Sequence, residues 1–413
     1  MAGGAVPHED PDGSRLLTSS EVGDLLRAAV EHSGGQLVDW RMEHVDANPQ
    51  HSTTATYNAT VQWPFGRREE LLGVSARAGG PAPSDERAEI FAAGSRQMAV
   101  WLYPRDPDLP GLVRAAYPDQ MAEVLNEHRV LPQPVQPEQV RLEMIAYRPR
   151  RRAVLRAVVS TPAGATTFYV KVLREQLFAE VERRHTMLLE AGVPAPPVAA
   201  ATSDFLLVLR ELPGRPLAKA IFDPHPPTSA ERLIGLLDAM PPAVSQLRRR
   251  PPWTDSVQHY TTMVERALPA EQRRLDWITG EILSGLAGLP AGDEPTHGDF
   301  HEGQVHVDGG RVCGVLDVDT IGPGRRVDDL ACLVAHLSTV QRMNAQQAAR
   351  VRALLAGWVP VFDTRVDASE LRLRAAAVII SLATGPYRSQ EPRWERETSF
   401  IIDAAEALIR QVR

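Results

Sequence analysis

The stretch THGDFHEGQVHVDGGRVCGVLDVD, residues 296–319, decides how this sequence of 413 residues is read. Asp308-Gly309-Gly310 is a turn signal set between two apolar runs, so the segment reads as loop, strand, turn and strand. Polar side chains crowd the two ends of that hairpin. His297, Asp299, His301 and Gln304 fall on the loop before it, and Asp317 and Asp319 close its second strand.

Working outward, three strand-like runs precede it: RLEMIAY, RAVLRAVV and TTFYVKVL, separated by the turns RPRRR (148–152) and STPAGA (160–165). They predict a curled antiparallel sheet. A helix is expected over LFAEVERRHTMLLEAG, stopped by Gly192, then strand material in AAATSDFLLVLREL, with ELPGRPL breaking the pattern. Beyond it, apart from residues 296–324, the chain reads as mostly helical. Upstream, Thr18 and Glu21 form a capping-box pattern ahead of VGDLLRAAV, and Gly34-Gly35 is the stop. HSTTATYNATVQW, REELLGVSA and QMAVWLY read as strands, PDQMAEVLNEHR as a helix and PQPVQPEQ as a linker. The expected organisation is a loose tail (1–15), an N-terminal α+β cap (16–138), a small antiparallel-sheet lobe (139–211) and a helical lobe carrying the loop (212–413).

Composition narrows the function classes. Hydrophobic residues make up 43% and charged residues 23%, which is ordinary for a globular protein. With 45 Lys and Arg against 52 Asp and Glu the net charge is −7, so no overall field draws the chain to nucleic acid. Two cysteines, Cys313 and Cys332, exclude a disulfide framework or a cysteine-rich zinc site. Neither a leader pattern nor a membrane-length apolar run is evident, and a cytoplasmic location without membrane partners is expected.

Phosphoryl transfer asks little covalent chemistry of a protein. It needs a carboxylate to position the attacking hydroxyl, a metal to neutralise phosphate charge and a cation on the phosphates that stay behind. Asp299 can supply the first, Asp317 with the side-chain carbonyl of Gln304 can supply hard oxygen ligands for magnesium, and Lys171 in FYVKVL can supply the cation. Asp319 could bind a second metal, orient the first or contact substrate.

HGDFHEGQV followed by GVLDVD and DDLA resembles the catalytic core of the aminoglycoside phosphotransferase and choline kinase superfamily, relatives of protein kinases, over roughly residues 140–410. The resemblance implies a two-lobed α+β kinase-like fold and an ATP- and magnesium-dependent kinase acting on a small-molecule hydroxyl. It makes Asp299 the catalytic base, Asp317 the principal metal ligand and Lys171 the α/β-phosphate contact. Glu182 becomes the ion-pair partner of Lys171, with Glu180 the weaker candidate, and LRELPG the hinge beside adenine. His297 and Asp329 become structural ties for the loop.

Two departures carry information. Gln304 stands where the family usually has Asn, and HGD-x-H-x-GQ resembles bacterial maltokinases and glucosamine kinases, which tilts the acceptor towards a sugar or amino sugar. The phosphate-covering loop, glycine-rich in many kinases, here reads RPRRR. Arg150 and Arg151, with Arg148 and Arg152, either grip nucleotide phosphates with their forked donors or form a solvated turn. His301 reads as structural or as a substrate contact. Trp394 and Glu395 in PRWERET either line a sugar pocket or, for Trp394, pack a helix. The rival readings are an antibiotic kinase and a nucleotide- or partner-binding module without turnover; the missing glycines favour the latter, and the joint retention of Lys171, Asp299 and Asp317 opposes it.

Overall fold

Long runs of Thr, Ala and Val alternating with polar residues build the first sheet. The computed structural model describes residues 10–93, 96–162, 164–340 and 343–412. Strands β1 (Gln36–Asn48), β2 (Ser52–Trp63), β3 (Gly66–Arg77), β4 (Glu89–Ala93) and β5 (Arg96–Leu102) form an antiparallel sheet in the order β1-β2-β3-β5-β4. The β2–β3 hairpin runs without a bulge from Ser52 opposite Arg77 to Trp63 opposite Gly66. Ala55, Tyr57, Ala59 and Val61 of β2 and Leu72, Val74 and Ala76 of β3 face a core closed by Val22, Leu26, Ala29 and Val30 of the helix Val22–His32. β1 escapes pattern reading because it is an edge strand with most positions at least partly exposed, so charged residues interrupt its alternation.

The capping box expected from Thr18 and Glu21 is not formed. Thr18 instead donates its hydroxyl to the Ser14 carbonyl at 2.7 Å, and the Glu21 amide is held by Ser19 Oγ at 3.2 Å. Residues 1–9 of the expected tail lie outside the described residues; from Asp10 the chain is anchored, with the Asp12 carboxylate accepting from the amides of Ser14 at 3.0 Å and Gln50 at 2.6 Å.

A second antiparallel sheet follows, with β6 (Val140–Arg148), β7 (Arg152–Thr161), β8 (Gly164–Leu173), β9 (Val198–Ala201) and β10 (Leu206–Arg210) in the order β6-β7-β8-β10-β9. Ala153, Leu155, Ala157 and Val159 line the buried face of β7, the period of two expected for a half-buried strand. The helix Glu175–Glu190 connects β8 to β9, and Gly192 beyond it takes φ 77°, the left-handed position that ends the run.

Contacts gather into two compact units: residues 1–178 with 200–208 and 387–392, and residues 179–199 with 209–386 and 393–413. The second is mainly helical. Its core joins Leu233 and Leu237 to Ile278 and Ile282, to Leu330 and Leu333, and to Ile379, Ile380 and Ile402, and it also takes in Phe300, Val305 and Val315 around the loop and hairpin. The architecture is thus the α+β one that the sequence predicts, with antiparallel sheets and a mainly helical second unit.

Candidate active site

Asp299 and Asp317 sit on different pieces of chain, and His297 staples those pieces together. His297 is fully buried; its amide donates to Asp329 Oδ2 at 2.9 Å, and the Gly298 amide to Asp329 Oδ1 at 2.8 Å. Asp329 lies in the first turn of the helix Arg326–Ser338, with Arg326 Nη1 at 3.6 Å. Burial pushes its carboxyl up to about 6, opposed by His297 and by the two amides.

The imidazole tautomer follows from its partners. His297 Nε2 is 2.9 Å from the Leu316 carbonyl oxygen, which can only accept, so Nε2 carries the proton and Nδ1 accepts the Asp299 amide at 3.3 Å. The Leu316 amide in turn donates to the Gln304 carbonyl at 2.7 Å, and Thr320 Oγ1 to the His297 carbonyl at 2.8 Å. The loop before Asp299 and the strand end before Asp317 are therefore cross-linked at several points. Gly298, at φ 80°, lies so close to the Thr320 carbonyl that a Cβ would come within 2.7 Å of it. Asp317 itself adopts φ 51°, ψ 55°, a conformation that costs a non-glycine residue roughly 1–2 kcal/mol.

Gln304 and His301 are coupled. The Gly303 amide donates to His301 Nδ1 at 3.1 Å, which places the proton on Nε2; the amide end of Gln304 lies 3.1 Å from that nitrogen. The Gln304 atom set there is its own Nε2, so the contact is a hydrogen bond with a protonated imidazole Nε2 only when the amide is turned end for end, which brings the oxygen to the ring. His301 also stacks on His336, ring centroids 4.1 Å apart and planes 7° from parallel. Burial lowers His301 to about 4, helped by His297, and His336 to about 3, helped by His301, so both rings are neutral at pH 7. Beside them burial pushes the Glu302 carboxyl up to about 7, and the Cys332 thiol, 3.8 Å from Asp299 Oδ1, is held well above its usual range by burial and then by Asp299.

Asp319 is 7% exposed, and its backbone carbonyl accepts from Arg184 Nη1. Arg184, fully buried on the helix Glu175–Glu190, also pairs with Glu180 one turn earlier. Glu180 is thus engaged within its own helix, and Glu182 is half-buried on it. Arg184, Glu302, Cys332 and His336 were all missed by sequence reasoning. A buried arginine on an amphipathic helix and a histidine one turn from a helix end carry no motif, and only the tertiary fold shows their place.

Lys171 is in the N-terminal unit, on β8 opposite Val154 and only 5% exposed. Trp394, half-buried, and Glu395, exposed, occupy the first turn of the helix Trp394–Arg410. Arg150 corrects the expectation for the RPRRR turn. At φ 62° it points its side chain back into the N-terminal unit, where it is 5% exposed, paired with Asp85, 3.8 Å from Asp108 Oδ2, and its guanidinium carbon lies 5.4 Å from the centre of the Trp101 ring. Its amide donates to Asp106 Oδ2 at 2.8 Å, which also accepts from Tyr147 Oη at 2.8 Å. A guanidinium so enclosed is committed to those carboxylates. Arg151 is over half exposed and lies 3.0 Å from Asp46 Oδ2.

The sequence model of the phosphotransferase enzyme family matches residues 156–365. No curated protein matches the sequence. Among solved structures the chain is similar to an aminoglycoside phosphotransferase in ternary complex with AMP-PNP and hygromycin B, at 14% identity over 70% of this chain and 97% of that one, TM-score 0.48. It is also similar to a macrolide 2′-phosphotransferase from Brachybacterium faecium, at 15% identity over 69% and 98%, TM-score 0.42. A third is a choline kinase from Cryptosporidium parvum Iowa II, at 8% identity over 71% and 95%, TM-score 0.44. The matched span is half of the chain and contains Lys171, the stapled loop of Asp299 and the strand end of Asp317, and the protein belongs to the phosphotransferase enzyme family.

Proposed function

We propose that the protein is an ATP- and magnesium-dependent kinase that phosphorylates a hydroxyl of a sugar or amino sugar. The observation that carries the reading is the His297 staple, which fixes Asp299 and Asp317 relative to each other through Leu316, Gln304 and Asp329. A transferase whose catalysis is mostly positioning needs that rigidity. Asp299 accepts the proton of the acceptor hydroxyl as its oxygen bonds to the γ-phosphorus, and the bond to the ADP oxygen breaks. The neutral Cys332 thiol beside Asp299 Oδ1 helps hold the carboxylate in place.

The donor set fits magnesium. Asp317 and Asp319 offer carboxylates and Gln304 an amide oxygen, all hard oxygen ligands. When bound, magnesium supplies charge neutralisation for the phosphates. His301, with both nitrogens engaged inside the loop, acts on Gln304 in this reading more than on substrate. Lys171 is assigned to the α/β-phosphates and Glu182 to orienting it, on the family resemblance. Gln304 in place of Asn supports a sugar or amino-sugar acceptor.

The test is an ADP-release assay of the purified chain with ATP and magnesium over hexoses, hexosamines, disaccharides and aminoglycosides. ADP release with a sugar or hexosamine, and product phosphate bonded to oxygen by NMR, is the expected result. Release with aminoglycosides alone refutes the sugar assignment, and no release with any acceptor refutes turnover.

A further inference from the structure

The catalytic reading leaves the first five-stranded sheet unused, yet that sheet carries a cleft of about 580 Å3, within the size range of small-molecule sites. Its walls are aromatic. Trp63 and Phe65 come from the β2–β3 hairpin, Trp101 and Tyr103 from the end of β5, and Tyr117 from the start of the helix Pro118–Glu127. Phe65, with the Arg68 guanidinium carbon 4.8 Å from its ring centre, is 68% exposed and Tyr117 47%, an unusual display of aromatic surface.

The rings are held, not loose. Trp63 and Phe65 lie parallel within 7°, centroids 5.9 Å apart. Trp63 rests on Gly35, where a Cβ would meet its ring at 2.9 Å, and donates Nε1–H to Glu70 Oε1 at 2.9 Å. Trp101, 4% exposed, lies against Gly73, where a Cβ would collide with the indole, and donates Nε1–H to Tyr147 Oη at 3.0 Å. Two of the aromatic surfaces are therefore pre-organised by glycines and by hydrogen bonds to the indole nitrogens, which spares a ligand the entropy of ordering them.

Charge decides the class of ligand. Glu70 and Glu89 line the cleft together with Arg87 and Arg105, two of each sign. A phosphorylated or strongly acidic ligand has no net positive field to enter, and a purely apolar one would strip water from four ionic groups without recompense. A neutral polyhydroxylated ring suits both features: its C–H faces lie on the aromatic rings, and its hydroxyls donate to carboxylates and accept from guanidinium groups.

We infer that this cleft is a saccharide-binding site of the N-terminal unit, distinct from the phosphotransfer site. The inference stands without the sugar-kinase reading, because binding here requires no turnover. The test uses the full chain, titrated with maltotriose, cellotriose and chitotriose and followed by tryptophan emission and amide hydrogen exchange. At least one trisaccharide is expected to shift the emission saturably and to protect amides within residues 63–72 and 100–105. Phe65→Ala and Tyr117→Ala, at exposed rings whose loss the fold tolerates, should each weaken that binding about tenfold, and Asp299→Asn should leave it unchanged. The inference is overturned if no trisaccharide protects these segments, if protection appears only at residues 297–319, or if both ring variants bind as tightly as the parent chain.

Discussion

Asp299 is the residue on which turnover should depend most steeply. Asp299→Asn keeps the size of the side chain and the His297 contact, which is made by the backbone amide, while removing the proton acceptor. The expected outcome is a loss of turnover on the order of 10²–10⁴-fold with ATP affinity within about twofold of the parent; a turnover near that of the parent chain would falsify the assignment. A second residue-scale expectation concerns pH. His336, whose ring nitrogen is 4.0 Å from Glu302 Oε2, is held to about 3 by burial and then by His301. Its folded value lies below the ordinary 6.5, so the unfolded chain takes up a proton that the folded chain refuses. The stabilising contribution is full above about pH 6.5 and falls steadily as pH drops towards 3. Urea unfolding across that window should show His336→Asn losing less stability on acidification than the parent; equal slopes would place the titrating group elsewhere.

The RPRRR turn shows what an element can hide from sequence reading. Four arginines in five residues read as a phosphate grip or a solvated turn, and Arg150, buried against Asp85, is not part of a solvated surface. The decision is made by Asp85 and Asp106, which lie 65 and 44 residues away and have no local pattern linking them to the turn. By contrast β6, β7, β8 and the hairpin of residues 305–315 were legible, because strand-forming runs bounded by turn residues are local properties, and in β7 the burial alternates as well. The loop residues were legible as a group, since His297, Asp299 and Gln304 lie within eight residues of one another; the His336 and Cys332 that back them come from a stretch read only as helical beyond its DDLA motif. Arg150→Met should leave Asp85 buried without its partner, which costs about 3–5 kcal/mol. Differential scanning calorimetry of the variant is expected to show a lowered transition, and steady-state kinetics a raised KM for ATP as the turn loses its anchor. A double variant with Asp85→Asn should recover part of the stability, since it removes the orphaned charge.

At the scale of the molecule, chain order and unit membership part company. Residues 387–392 belong with the N-terminal unit, although nearly 180 residues of the other unit precede them. Tyr387 packs against the core of the first sheet, and Arg388 Nη2 lies 3.3 Å from Asp46 Oδ2, the carboxylate that also meets Arg151. Tyr387→Ala is expected to destabilise the N-terminal unit by roughly 1–3 kcal/mol, less than the full cost of a deeply buried ring because Tyr387 is only half-buried. Hydrogen exchange should register the change first in β1 and the helix Val22–His32. Uniform acceleration across residues 209–386 would show that the segment serves the other unit instead.

That returning segment has a consequence for biosynthesis. A ribosome delivers the N-terminal sheet hundreds of residues before Tyr387 and Arg388 leave the exit tunnel, so that unit waits for a distant segment to complete it. Domains made in one piece can settle as they are translated. This one closes only after residues 387–392 emerge, and a nascent chain stalled before them carries a sheet core on which Tyr387 is not yet packed.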